Sequence, residues 1–153
     1  MNADNQLSTE RIQLPTGSFS LKELELVLNA LPAEISFIDK NDIVRFFNSK
    51  TDRFFLRPQA ALGKDMRFCH PKRVLPMVEQ LLKDFKEGTQ DRAFFWRESF
   101  HDCFISIDYI ALKDANGDYA GTLEIVQDIT NLKKLEGTRD ELIYPAKKAD
   151  NSL

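Results

Sequence analysis

Cysteine and histidine are scarce in this chain, which has two of each among its 153 residues. Cys69 and Cys103 form no C-x-x-C pair, and we predict that both are free thiols in a reducing compartment. His70 and His101 lie in different segments, so they lack the paired spacing of a metal site. Nucleophile elbows and phosphate-binding loops are absent as well. The sequence therefore predicts neither a metal site nor a catalytic centre, and we expect a protein that is not an enzyme.

An excess of positive charge and long apolar runs are also lacking. The formal net charge is −3, and no basic stripe interleaves with aromatic residues, which argues against nucleic acid as a partner. The apolar runs are far too short to cross a membrane. The opening stretch MNADNQLSTER has no apolar segment of the signal-peptide type. We therefore expect a cytoplasmic protein that does not bind a membrane.

Phenylalanine, by contrast, is abundant. The chain has 12 phenylalanines against one tryptophan and three tyrosines, and 42% of its residues are hydrophobic. A chain of this length and composition suits one globular domain that needs no disulfide or metal for stability. The bias toward phenylalanine predicts a core of large flat rings that can line a cavity.

Helical spacing appears in three segments. After Ser20, which forms a capping-box pattern with Glu23, apolar residues recur at three- and four-residue steps and predict a helix that Pro32 ends. A second amphipathic pattern begins at Val74. Asn131 precedes a polar pattern that predicts a C-terminal helix.

Five segments are rich in β-forming residues. Residues 35–39 and 43–48 flank a short polar turn and predict a hairpin. Three further runs follow the second helix, and an Asn-Gly turn joins the last two. These runs are residues 93–100, 103–112 and 119–130. The order of elements predicts an α+β fold, an antiparallel sheet with helices on one face.

The stretch between the first hairpin and the second helix predicts irregular structure. Ser49 or Asp52 is placed to cap a short helix that carries Phe54 and Phe55. A loop-rich section follows and leads into GKDMRFCHP, residues 63–71.

Several of these stretches resemble PAS sensory domains. The opening hairpin of PAS domains is similar to FIDKNDIVRFFN, and their closing hairpin is similar to DANGDYAGTLEIVQDIT. A narrower resemblance is to the C-terminal PAS domain of hemerythrin-associated bacterial proteins, known as domain of unknown function 438. It is carried by LPTGSFSLKELELVLNALPAEISFID, FCHP and GTLEIVQDITNLKKLEG.

The resemblance implies a PAS fold with a five-stranded antiparallel sheet, helices across one face and a pocket between them. It implies signal transduction by binding and relay, with a hemerythrin-like or other signalling domain as a partner. The expected organisation is a polar tail at 1–16, a PAS domain with its N-terminal flanking helix at 17–130, and a C-terminal linker helix and tail at 131–153.

We expect the pocket to accept a small, mostly apolar ligand, because few ionisable groups interrupt the segments that would line it. The alternative is a pure protein–protein docking domain whose core is filled and takes no ligand. The predicted lining residues are Phe54, Phe55, Phe68, Val78, Leu82 and Ile107.

His70 is the candidate ligand for a haem cofactor. It precedes the second helix beside Cys69, and an imidazole can bind haem iron. The alternative is that His70 and Pro71 only shape the start of the helix, with the imidazole bonded to a backbone group. A covalent flavin adduct is not expected, since Met66 stands where light-sensing PAS domains carry their reactive cysteine.

The first helix carries a wide apolar stripe for an element at the edge of one domain. In PAS relatives this element commonly forms the dimer, so the resemblance implies a homodimer. The stripe comprises Leu21, Leu24, Val27, Leu28 and Leu31.

Overall fold

The computed structural model describes residues 10–144 of the chain. Within them the chain forms seven strands and two α-helices. In chain order these are β1 (Arg11–Leu14), β2 (Gly17–Ser20), α1 (Leu21–Ala30), β3 (Glu34–Asp39), β4 (Val44–Phe47), α2 (Leu75–Glu87), β5 (Arg92–Phe100), β6 (Cys103–Lys113) and β7 (Tyr119–Asp128). Short 3₁₀ turns lie at Gln59–Ala61, Met66–Cys69, Lys72–Val74 and Leu132–Lys134.

Strands β3 to β7 form one antiparallel sheet in the spatial order β4-β3-β7-β6-β5. The predicted Asn-Gly turn joins β6 to β7. Gly117 adopts a left-handed φ of 86° there, and the Asp114 carboxylate accepts hydrogen bonds from the backbone N–H groups of Asn116 and Asp118. The predicted five-stranded antiparallel sheet is confirmed.

Side-chain alternation gives the sheet an inner face that α2 covers. The central strands place Ile38, Ile107 and Val126 on this face, and all three are buried. Helix α2 buries Val78, Leu82 and Phe85 on one stripe, and the first two pack in one cluster with Ile38. The α+β arrangement predicted from the sequence is therefore present.

Helix α1 begins as predicted but buries little of its surface. The Ser20 hydroxyl accepts a hydrogen bond from the Glu23 backbone N–H at 3.2 Å, and the Glu23 carboxylate accepts one from the Ser20 N–H at 2.8 Å. This confirms the capping box. No residue of α1 is buried, so its apolar stripe is open to a partner.

Three segments differ from the sequence predictions. The expected polar tail is wrong for Arg11–Leu14, which pairs with β2 in a hairpin. The expected short helix after Ser49 does not form. The C-terminal helix is reduced to the turn Leu132–Lys134, because sparse apolar positions give it little to pack and Gly137 adopts a left-handed φ of 65°. Residues 1–9 and 145–153 lie outside the described part.

The end of α1 is joined to the sheet by Asn48, whose side chain is fully buried. Its Oδ1 accepts a hydrogen bond from the Ile35 N–H at 2.9 Å. Its Nδ2 donates to the carbonyls of Leu28 at 3.0 Å and Ala33 at 2.9 Å. One amide therefore satisfies backbone groups of α1, β3 and the connection between them.

Replacing Asn48 should destabilise the fold strongly. We expect Asn48→Ala to lower the free energy of unfolding by about 3 kcal/mol, because three backbone groups lose their partner. Asn48→Asp should also destabilise, since a carboxylate cannot donate to the two carbonyls. Urea unfolding followed by circular dichroism measures both, with exposed Asn41→Ala as the control. A loss from Asn48→Ala no larger than the control's would contradict this assignment.

Candidate ligand cavity

Two adjoining cavities lie between the inner face of the sheet and α2. We name the first the apolar cavity; its volume is about 330 Å³ and its lining includes Ile38, Leu81, Leu82, Ala93 and Thr122. We name the second the basic cavity; its volume is about 460 Å³ and its lining includes Phe55, Arg57, Arg73, Arg97 and Glu124. Both cavities are lined by His70, Met77, Val78, Phe95 and Tyr109.

A buried ion pair forms one wall of the basic cavity. Arg57 Nη2 lies 2.7 Å from Glu124 Oε2, and their side chains are only 10% and 5% exposed. The Tyr109 hydroxyl donates to the other oxygen of Glu124 at 3.1 Å. Burial lowers the pKa of Arg57, but the charge and hydrogen bond of Glu124 outweigh it and leave this pKa raised. Burial, and then the charge of Glu124, raises the pKa of Tyr109, so the wall holds a charged pair and a neutral phenol.

A second buried ion pair lies beside the first. Arg53 and Glu34 are 8% and 7% exposed, and their closest N and O atoms are 3.6 Å apart. The Phe54 backbone N–H donates to the same carboxylate, and Arg53 donates to the Asn48 carbonyl at 2.7 Å. Residues 53–57 therefore lie across the inner face, held by an arginine at each end. We name this segment the arginine strap.

His70 borders both cavities at the end of the turn Met66–Cys69. Its Nδ1 lies 2.9 Å from the Met66 carbonyl oxygen. A carbonyl only accepts, so Nδ1 donates in this hydrogen bond, which leaves Nε2 as the ring nitrogen available to a ligand. Within residues 10–144, no group of three His, Cys, Asp or Glu side chains is arranged to hold a metal ion. His70 is thus a single imidazole beside the two cavities, without a second candidate ligand grouped with it.

Three of the predicted lining residues come together at the cavities. Leu82 lines the apolar cavity, Phe55 the basic cavity and Val78 both. Helical spacing places Val78 and Leu82 one turn apart on the covered stripe of α2. Phe55 reaches the basic cavity because the arginine strap crosses the sheet.

The other three predicted lining residues lie elsewhere. Phe68 is 84% exposed, so its assignment to the cavity is wrong. The 3₁₀ turn places Met66 and Cys69, three residues apart, on its inward side. Phe68 therefore points away from the core. Ile107 is fully buried in a core cluster, not at a cavity wall. Phe54 packs against Phe100, with ring centroids 6.2 Å apart, and lines a separate shallow groove.

The sequence predictions missed the charged lining. The premise that ionisable groups are rare around the pocket fails for the basic cavity, which Arg57, Arg73, Arg97 and Glu124 border. One signal was available for Glu124. It lies between Thr122 and Val126 at alternate positions of β7, which places a carboxylate on the covered face.

The predicted dimer stripe remains largely uncovered in the single chain. Leu21 and Val27 are 56% and 46% exposed, and Leu31 is also exposed. Leu24 and Leu28 are half-buried. An apolar surface of this kind on a short helix is typical of an interaction site.

The exit from the sheet is held by a small network at Asp128-Ile129-Thr130. The Ile129 N–H donates to the Phe104 carbonyl, and the Phe104 N–H donates to the Thr130 hydroxyl, both at 2.8 Å. Hydrogen bonds from Thr130 lower the pKa of Asp128. The segment after β7 therefore starts from a fixed point on β6.

The fold and the position of the cavities define the class of protein: an antiparallel sheet in the order β4-β3-β7-β6-β5, with helices and a cavity on one face, is the architecture of PAS sensory domains. The sequence profile of the PAS domain family matches residues 24–130. The chain belongs to the PAS domain family, and the PAS fold predicted from the sequence is confirmed.

Solved structures agree with this assignment. A crystal structure of a C-terminal domain from Streptococcus mutans has 31% identity and a TM-score of 0.78, and the match covers 84% of this chain and 99% of that one. The PAS domain of Bordetella pertussis BvgS has 23% identity and a TM-score of 0.55, covering 72% and 87%. A sensory box sensor histidine kinase from Vibrio cholerae has 14% identity and a TM-score of 0.51, covering 70% and 89%.

The similarities to the Bordetella pertussis and Vibrio cholerae structures concern the fold alone.

A comparison with curated proteins finds no match. No helix in the described part of the chain is long and apolar enough to span a membrane.

Breaking the buried pair in the cavity wall should cost much more than breaking a surface pair. We expect Glu124→Gln to lower the free energy of unfolding by about 3 kcal/mol, because Arg57 would remain charged and buried without a carboxylate. Glu25→Gln, which removes the partner of Lys22 in a pair whose side chains are both exposed, should cost less than about 1 kcal/mol. Chemical denaturation of both variants checks this, and equal losses would contradict the role of the buried pair.

Proposed function

We propose that the chain is a PAS sensory module that binds a small molecule in the two cavities and relays binding to a partner through its terminal segments. The observation that carries this proposal is the pair of adjoining cavities between sheet and α2, which are lined by apolar and aromatic side chains around a few buried polar groups. Ligand sites of proteins have this composition.

The relay would use the elements that an occupant touches. A ligand in these cavities contacts Val78 and Leu82 on α2, and Phe95 and Tyr109 on the sheet. A ligand that favours one packing of α2 on the sheet shifts the population toward that packing. Strand β7 carries Glu124 in the cavity wall and ends at Asp128, whose carboxylate accepts a hydrogen bond from the Thr130 N–H. This strand would therefore connect the cavity to the segment that leaves the sheet.

The proposed cellular location and partner follow from the resemblance to the C-terminal PAS domain of hemerythrin-associated bacterial proteins. We place it in the cytoplasm, without enzymatic activity of its own, among the bacterial proteins in which such a PAS domain accompanies a hemerythrin-like domain. That domain, or another signalling domain, is the proposed downstream partner. The stretches that carried this resemblance, including FCHP at residues 68–71, support the proposal.

The ligand proposal is tested by native mass spectrometry of the protein purified from its own host. We expect a retained small molecule with the unmodified protein and with Ala115→Leu, an exposed turn variant. Ala93→Leu should retain less of that molecule, because Ala93 lines the apolar cavity and the larger side chain takes up part of its volume. Circular dichroism shows that each variant is folded.

Other outcomes would favour docking without a ligand. Protein that carries no molecule, together with an Ala93→Leu variant that still binds its protein partner with unchanged affinity, would overturn the ligand proposal. A pure docking domain would then be the better account of the fold.

Haem binding is a second candidate, favoured by the hydrogen bond from His70 to the Met66 carbonyl. That bond orients the ring and leaves Nε2 free at the cavity border, as metal-binding histidines are oriented. Haem bound there would supply iron for gas or redox sensing. The absorption spectrum of the same host-purified protein distinguishes the candidates: a Soret band that His70→Ala abolishes favours haem, and a spectrum without it favours a colourless ligand.

We also propose that α1 forms a homodimer. The support is the exposed apolar surface of Leu21, Val27 and Leu31 on a helix with no buried residue. A helix of ten residues gains stability mainly by packing its apolar face, and a second copy of α1 offers a matching stripe.

A charge in this stripe should dissociate the dimer. We expect sedimentation equilibrium to give a dimer for the unmodified protein and a monomer for Val27→Glu, because dimerisation would bury the carboxylate in an apolar interface. Leu56→Glu is the matched control, since Leu56 is 86% exposed and lies outside α1. An unmodified protein that stays monomeric at high concentration, or a Val27→Glu variant that stays dimeric, would refute this interface.

A further inference from the structure

We propose that the ligand is an amphipathic carboxylic acid whose carboxylate lies between Arg73 and Arg97 and whose apolar tail occupies the apolar cavity. This inference rests on the proposed ligand-binding function and specifies the chemistry of the ligand. It is carried by the charges around the two cavities.

The arginines of the chain divide into two groups by their partners. Six of them form an ion pair with a carboxylate: Arg11, Arg45, Arg53, Arg57, Arg67 and Arg92. Among residues 10–144, the arginines without an acidic partner are Arg73, Arg97 and Arg139. Arg73 and Arg97 both line the basic cavity. The two uncompensated guanidinium groups of the sheet-and-helix body therefore border one site.

Arg97 is held in place although it has no carboxylate partner. Its guanidinium carbon lies 4.6 Å from the centroid of the Phe100 ring, a cation–π contact that orients the group. Arg73 approaches the same cavity from the 3₁₀ turn before α2. Two guanidinium groups that reach one cavity from different elements, the 3₁₀ turn and β5, suit a carboxylate, which can accept hydrogen bonds on both of its oxygens.

The deeper polar wall does not provide this carboxylate site. Arg57 is already paired with Glu124, and a second carboxylate there would face a like charge. The neighbouring Ser36 hydroxyl is buried and has no hydrogen-bond partner. It borders a void of about 20 Å³, which has room for one water molecule. This void is too small for a carboxylate group and its tail, so the anionic head group belongs at Arg73 and Arg97.

The apolar cavity supplies the place for the tail. Its lining is mainly aliphatic and aromatic, with Val78, Leu82 and Phe95 at its centre. One carboxylate, that of Asp84, also lines the apolar cavity, and it accepts a hydrogen bond from the Gln80 side chain at 2.8 Å. Because His70, Met77 and Tyr109 border both cavities, one molecule can extend from the basic into the apolar cavity.

Matched probes separate the charge from the tail. Octanoate is ionised at pH 7 and octan-1-ol is neutral, and the two have the same chain length. Isothermal titration of the full chain should show octanoate binding about tenfold more tightly than octan-1-ol, as charge-assisted hydrogen bonds predict. Hexanoate should bind about tenfold more weakly than octanoate, because each buried CH₂ contributes about threefold to fourfold.

Variants then assign the preference to residues. Arg73→Gln and Arg97→Gln should each weaken octanoate binding about threefold, and the double variant about tenfold, while octan-1-ol binding is unchanged. Lys83→Gln is the control, because it removes one positive charge from α2 at an exposed position that lines neither cavity. Its affinity for octanoate should equal that of the unmodified protein.

The outcomes distinguish this inference from the proposed function. Equal binding of octanoate and octan-1-ol, or a preference that survives in the double variant, overturns the carboxylate assignment and leaves ligand binding intact. If neither octanoate nor octan-1-ol binds, the carboxylate assignment is also overturned. Native mass spectrometry of the host-purified protein then remains the test of whether the chain binds a ligand.

Discussion

Two carboxylates on the covered face of the sheet determine much of this structure. Glu34 on β3 and Glu124 on β7 lie on this face, and both are buried. A charge in such a place is tolerated only when it is paired and hydrogen-bonded. Arg53 and Arg57 meet this requirement, and they are four residues apart in the chain. The pairing therefore determines where the segment between β4 and α2 crosses the sheet.

The same pairing is found beside open space between the sheet and α2. Residues 53–57 cross the inner face in non-helical backbone, so Phe54 and Phe55 cover the core around Ile107 and do not form a helix that fills the space beneath α2. Arg57 and Glu124 then form a polar wall of the basic cavity. Because separating this pair would leave a buried charge without a partner, the pairing holds the wall in place.

Local patterns were sufficient to predict most of the fold. Alternation, the Asn-Gly turn and the capping box at Ser20 are all encoded by neighbours in sequence, and each is present. The arginine strap was missed because its partners are 19 and 67 residues away, and single-sequence periodicity carries no pairing information over such separations. Phe68 was misplaced because the sequence predicted irregular structure here, which sets no side-chain direction, whereas the 3₁₀ turn directs Met66 and Cys69 inward and Phe68 outward.

The buried pairs also connect the cavity to the surface that α1 presents. Arg53, at one end of the arginine strap, donates to the carbonyl of Asn48 at 2.7 Å and contacts its side-chain oxygen at 3.3 Å. The Asn48 amide in turn donates to the Leu28 carbonyl in α1. Arg57, at the other end, faces the basic cavity. The wall of this cavity and the end of α1 are therefore joined by a segment of five residues and by the hydrogen bonds of Asn48. Because buried hydrogen bonds are costly to leave unmade, the arginine strap, Asn48 and the end of α1 are held together as one unit.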